Sequence, residues 1–146
     1  MEPGTYVFDG TEVDFKQAGV LTGDDVTIIF MNDAEFGNIN GGNGFDLAAP
    51  NSGDYAGIAI YADADTMSGD VWKFNGNAVM SILGAIYLPN LDIEYVGGAD
   101  TYATECTQLI ANRISFNGNS GFKNNCAPVG TTDMYGPGAS RVALVE

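Results

Sequence analysis

Apolar and polar positions alternate along this chain in short bursts, and the bursts recur at a fixed spacing. Three segments share the pattern apolar, any, aromatic, any, glycine: Trp72-Lys73-Phe74-Asn75-Gly76, Ile93-Glu94-Tyr95-Val96-Gly97 and Ile114-Ser115-Phe116-Asn117-Gly118. Their glycines fall at positions 76, 97 and 118, one constant interval apart. Tyr6-Val7-Phe8-Asp9-Gly10 has the same form, and Gly37-Asn38-Ile39-Asn40-Gly41 is a degenerate copy. A period of two predicts a strand, and the closing glycine predicts a corner, because glycine accepts the positive φ that a tight bend requires. A second series is almost wholly apolar: Val26-Thr27-Ile28-Ile29-Phe30, Gly57-Ile58-Ala59-Ile60-Tyr61, Gly84-Ala85-Ile86-Tyr87-Leu88 and Thr107-Gln108-Leu109-Ile110-Ala111. Its members start at positions 26, 57, 84 and 107, at intervals that shorten along the chain. No long stretch carries apolar residues at helical spacing.

Coils of about 20 to 30 residues, each with two or three short strands, are the signature of a stacked solenoid. The expected fold is therefore all-β, a single-stranded right-handed parallel β-helix of about five rungs filling one domain over residues 1–146. An antiparallel sandwich also uses short strands and glycine-rich turns, but it does not demand a period. Asparagines at 32, 38, 40, 75, 77, 117, 119, 124 and 125 fall at or beside the expected bends. Asparagine tolerates left-handed geometry and bonds along a stack, so corner structure accounts for them without a ligand.

The formal charge of −14 excludes a phosphate backbone or an anionic membrane surface as a partner. The longest apolar run, residues 78–89, is broken by Ser81 and is shorter than the roughly 20 residues of a spanning helix. The N-terminus MEPGTYVF has no basic region followed by an apolar stretch, so the expectation is a piece of a longer exported parent.

Candidate chemistry is sparse. Cys106 and Cys126 lie 20 positions apart, and a bridge between them would contribute about 3 kcal/mol in the chain-entropy model. Such a bridge fits an oxidising compartment, whereas a nucleophilic or metal-binding thiol would want a histidine, and the chain has 0. Gly41-Gly42-Asn43-Gly44-Phe45-Asp46-Leu47-Ala48-Ala49 approaches the calcium-binding nonapeptide of repeat-in-toxin proteins, with Asp46 as the metal ligand. It occurs singly, and a structural turn is the preferred reading, with no cofactor expected. Asp63 and Asp65 follow a core strand and point to one side of an extended chain, which invites comparison with carbohydrate-active β-helices. Basic residues that such sites place beside the carboxylates are dispersed here, so catalysis is not expected, and a carbohydrate-active or carbohydrate-binding β-helix using Asp63 and Asp65 is the alternative reading.

The segments PGTYVFDG, TIIF, LAAPNSGDYAGIAIYADAD, LGAIYLPN, CTQLIANRISFNGNSG and VALVE run in the order seen in C-terminal regions of TadG-like proteins of bacterial tight-adherence (Tad, or Flp) pilus-assembly systems. The chain resembles that family from Pro3 to Glu146. The resemblance implies an extracytoplasmic bacterial domain, periplasmic or at the cell surface, on a parent held in the membrane by an N-terminal anchor outside this sequence. It implies a role in pilus assembly or surface adhesion, with pilus components, cell-surface components or a glycan as partners. It transfers no catalytic residue and carries over Cys106 and Cys126 as a disulfide. Exposed terminal rungs are strand edges, so a capping segment or self-association into a homo-oligomer is a further expectation.

Overall fold

The computed structural model describes residues 1–13, 19–36, 39, 42–63, 71–76, 78–98, 100–101 and 106–122. In chain order the strands are β1 (Gly4–Asp9), β2 (Glu12–Val13), β3 (Val20–Gly23), β4 (Val26–Met31), β5 (Glu35–Phe36), β6 (Gly44–Ala48), β7 (Ile58–Ala62), β8 (Val71–Asn75), β9 (Val79–Val96), β10 (Asp100–Thr101), β11 (Thr107–Asn117) and β12 (Gly121–Phe122). Every pairing between them is parallel. Parallel neighbours cannot be joined by a hairpin, so each must be reached by travelling round a coil, and the chain is a parallel β-solenoid.

Each coil runs over three faces. On face 1, β3, β6, the start of β9, β10 and β12 stack in turn. On face 2 the stack is β1, β4, β7, the middle of β9 and the start of β11. Face 3 carries β8, the end of β9 and the end of β11, with an isolated parallel bridge from Ile39 to Phe74 beneath them. Strands β2 and β5 pair with each other and take the same place in the coil by chain order. Five strands thus stand on face 2, separated by four coil-to-coil steps.

Alternation decides which side chains enter the core. On face 3, Trp72, Ile93 and Ile114 form one inward column and Phe74, Tyr95 and Phe116 the next, each member one sequence repeat after the last. Phe74 and Tyr95 have ring centroids 5.2 Å apart, and Tyr95 and Phe116 5.1 Å, both stacked. The repeat read in the sequence is this column. On face 2 the inward column is Tyr6, Ile28, Ile60, Ile86 and Leu109. Phe8 stacks on Phe30 at 5.4 Å, and Trp72 meets Phe30 edge-on at 5.1 Å, joining two faces through one core. Face 1 adds Leu21, Phe45 and Met80.

Two sequence expectations shift. Tyr6-Val7-Phe8-Asp9-Gly10 has the aromatic-glycine form but belongs to the apolar series, because β1 pairs with Val26–Met31 on face 2. The apolar segments also do not align position for position. A bulge between Ile58 and Ile60 offsets β7, so Ile60 stands opposite Ile86 and Tyr61 opposite Tyr87. Asn32 does occupy a corner, at φ 53°, and donates through Nδ2 to Asp9 Oδ1 at 2.6 Å. Asn117 ends the last turn of face 3, while positions 38, 40, 77, 124 and 125 lie outside the described residues.

Gly84 marks the corner between faces 1 and 2 at φ +129°, and a Cβ there would sit 2.5 Å from the Ala49 Cβ. Gly84→Ala is expected to destabilise by about 2–4 kcal/mol, through strain and overlap together, in a denaturant titration. Tyr95, 0% exposed between two rings, is expected to cost about 3–5 kcal/mol as Tyr95→Ala, and Phe116→Ala, 48% exposed, clearly less. Equal costs for the two would remove the column as the stabilising feature.

Candidate functional surfaces

Outward residues of face 3 form a polar ladder. Val71, Asp92 and Arg113 occupy one row, and Lys73, Glu94 and Ser115 the next. Lys73 Nζ lies 3.1 Å from Glu94 Oε2, and Arg113 lies 3.8 Å from Asp92 Oδ2. Asn117 Nδ2 donates to Glu94 Oε1 at 2.6 Å, and Asn112 Nδ2 to Asp92 Oδ1 at 2.8 Å. Each carboxylate is held from the coil above, so the face is flat and internally compensated.

Face 2 presents a different outer column. Val7, Ile29, Tyr61, Tyr87 and Ile110 stand in successive coils, Ile29 being the buried member. Tyr61 and Tyr87 stack with centroids 5.6 Å apart and planes 12° from parallel. Tyr55 reaches the same cluster from the loop of residues 50–57, its ring 6.2 Å from Tyr61. That loop is closed at its base, where Gly57 N–H donates to Pro50 O at 2.7 Å. It is the segment that carries the Gly53-Asp54-Tyr55-Ala56-Gly57 motif. The three tyrosines were not legible as a cluster, because a one-residue bulge conceals the Tyr61–Tyr87 register and Tyr55 arrives from outside the strand pattern.

Asp63 follows β7 directly and is half-buried, its N–H donating to Phe30 O at 3.0 Å. It lies two residues past Tyr61 along the chain, just beyond the end of β7. Asp65 lies outside the described residues.

Asp46 points outward from β6, between Thr22 of β3 and Ser81 of β9, while its neighbours Phe45 and Leu47 are buried in the core. The repeat-in-toxin-like segment is therefore a strand of alternating sides, preceded by Asn43, whose Oδ1 accepts the Gly19 N–H at 2.7 Å. Asp46 lines an open cavity of about 470 Å³ with Met1, Thr22, Asp24 and Leu83. Among the described residues no group of three Cys, Asp or Glu side chains is placed to hold a metal ion. Asp24 and Asp25 form the turn before β4, with Asp25 at φ 56°.

Cys106 is 0% exposed at the entry to β11, where its carbonyl accepts the Gly84 N–H at 2.9 Å. Cys126 lies outside the described residues. No helix of the described residues is long and apolar enough to cross a membrane.

The ladder ion pairs are surface pairs. Lys73→Ala is expected to change stability by less than about 1 kcal/mol, with the difference shrinking as salt rises. Compared with known proteins, the chain matches no family model, and neither a curated protein nor a solved structure is similar to it.

Proposed function

We propose that this chain is a non-catalytic presentation domain outside the bacterial cytoplasm, associated with pilus assembly of the Tad/Flp type or with surface adhesion. The observation that supports it is the ordering of outward side chains into columns continuous from coil to coil on faces 2 and 3. Repetition of this kind builds an extended contact surface rather than a deep cleft, and it fixes the spacing of the groups it displays. The carboxylates of face 3 serve the ladder and stay bound to the neighbouring coil. A pilus or cell-surface component is the partner on this reading, and any membrane attachment runs through an anchor elsewhere in the parent protein. The resemblance to TadG-like proteins supplies the context, and a Cys106–Cys126 bridge would suit an oxidising compartment.

Two experiments test this reading. Removal of the domain from its parent in the source bacterium is expected to reduce pilus number or surface attachment, with expression of the remaining protein unchanged. Wild-type attachment and pilus number after removal would sink the proposal. Intact mass before and after alkylation in denaturant without reductant is expected to show no free thiol, and two alkylated cysteines would exclude the bridge.

A second reading is favoured by the tyrosines. Tyr55, Tyr61 and Tyr87 gather at the end of a strand beside Asp63, and a flat aromatic and hydroxyl-rich surface near a carboxylate suits a glycan. On that reading acidic and neutral plant or bacterial polysaccharides, screened by titration calorimetry, give a binder whose affinity drops at least tenfold in Tyr87→Ala. The screen also follows the release of reducing ends, which would make Asp63 a candidate for catalysis.

A further inference from the structure

Tyr61 and Tyr87 occupy one position on adjacent strands of face 2, where β7 pairs in parallel with β9. Neighbouring strands stand about 4.8 Å apart, and a slip of one residue would turn every side chain to the wrong side, so the sheet itself holds the two phenols at one separation. Their ring centroids are 5.6 Å apart, with planes 12° from parallel. Both side chains point away from the core and are half-buried, within reach of small solutes. The column inside the solenoid differs on each count. Phe74, Tyr95 and Phe116 carry a single phenol among three stacked rings, and Tyr95 is 0% exposed. Along the outer column the neighbours of the tyrosine pair are aliphatic, Ile29 before Tyr61 and Ile110 after Tyr87. Tyr55 approaches Tyr61 from the loop of residues 50–57, with its ring 6.2 Å away and tilted by 59°, so its position is set by the loop and not by strand register.

A phenol yields one hydrogen atom to a one-electron oxidant far more readily than an aliphatic side chain does. The phenoxyl radical left behind shares its unpaired electron with the ring carbons ortho to the oxygen. Two such radicals join through those carbons, forming a Cε–Cε bond. Each ring then passes the hydrogen of its bonded carbon to its oxygen, which restores both phenols. The pair loses two hydrogen atoms in total, and one molecule of hydrogen peroxide accepts them to become two of water. Encounter of the two rings is what limits this reaction in solution, and a sheet that keeps them in contact removes that limit. Coupling between separate molecules is opposed by the net charge of −14, which repels one copy from another.

We propose that Tyr61 and Tyr87 form an oxidative crosslinking site, at which a haem peroxidase with hydrogen peroxide joins the two rings as dityrosine. The joined residues lie 26 positions apart, so the bond closes one whole coil and staples it to the next. Rotation about the Cα–Cβ and Cβ–Cγ bonds of these outward side chains brings the ortho carbons together without moving the strands.

Mass spectrometry provides the test. Dilute protein treated with a haem peroxidase and hydrogen peroxide is expected to remain a monomer on a denaturing gel, to lose the mass of two hydrogen atoms and to acquire dityrosine fluorescence. Trypsin cuts after Lys73, between the two tyrosines, so digestion under reducing conditions is expected to give residues 17–73 joined to residues 74–113, with fragmentation placing the bond on Tyr61 and Tyr87. Tyr61→Phe and Tyr87→Phe, which keep the stacked rings, are each expected to lose that bond and most of the fluorescence, whereas Tyr55→Phe is expected to retain both. Treated wild type is expected to unfold at a higher denaturant concentration than treated Tyr87→Phe, since its unfolded chain is held in a loop. Circular dichroism before treatment checks the folding of every variant. A bond placed on other residues, coupling chiefly between molecules, a mass that only gains oxygen, or loss of the bond in Tyr55→Phe overturns the proposal. So does an unfolding midpoint that the crosslink leaves unchanged.

Discussion

Coil-to-coil register is the constraint on which the rest of this molecule depends. In a parallel stack each residue stands beside its counterpart in the next coil, so one position governs a column rather than a contact. The inward column of Phe74, Tyr95 and Phe116 and the outward row of Lys73, Glu94 and Ser115 are two sides of the same strands. A slip of one residue would exchange them, driving charges inward and rings into water. The penalty multiplies with every coil, which is why a marginal local preference becomes a firm global one. Strand β9 transmits the constraint between faces, since its 18 residues pass along all three and pair with β6, β7, β8, β10 and β11.

Register tolerates unequal coils provided the surplus leaves the stack. The coil from Gly4 to Val26 is much shorter than the coil from Ile28 to Ile60, yet both steps join adjacent strands of one sheet. Part of the excess is put out as the loop of residues 50–57, whose base is pinned by the Gly57 to Pro50 hydrogen bond. A smaller surplus is absorbed in place, by the bulge beside Ala59 and another between Ala111 and Arg113. These departures are where the surface acquires its distinct features. Tyr55 reaches Tyr61 only because the loop is there, and Tyr61 meets Tyr87 only because the bulge advances β7 by one position.

What the sequence revealed follows from the same distinction. The column from Phe74 through Tyr95 to Phe116 was legible because equal spacing survives in one dimension. Ile39, which bridges to Phe74 across a longer coil, was recognisable only by the glycines that flank it at a distance of two. Tyr6 to Gly10 was misassigned to that series, since strands on two faces share one local grammar of alternation and closing glycine, and only the pairing partner tells them apart. The Asp46 segment resembled a metal loop because glycine and aspartate also suit a strand that enters from a corner and alternates between core and solvent. The tyrosine cluster was illegible because bulges and inserted loops leave no periodic trace.

Charge placement bears on how such a molecule meets its surroundings. Lys73 and Arg113 are both engaged with carboxylates of face 3, so the acidic excess of a chain with net charge −14 falls elsewhere, most densely in the first coils. Side-by-side approach of two copies would bring like charges together along the full length of the stack. That repulsion weakens beyond a Debye length of about 8 Å at physiological salt, yet it opposes lateral contact at close range. The stretch from Cys106 to Phe122 carries Arg113 and no carboxylate, so it contributes least to that repulsion.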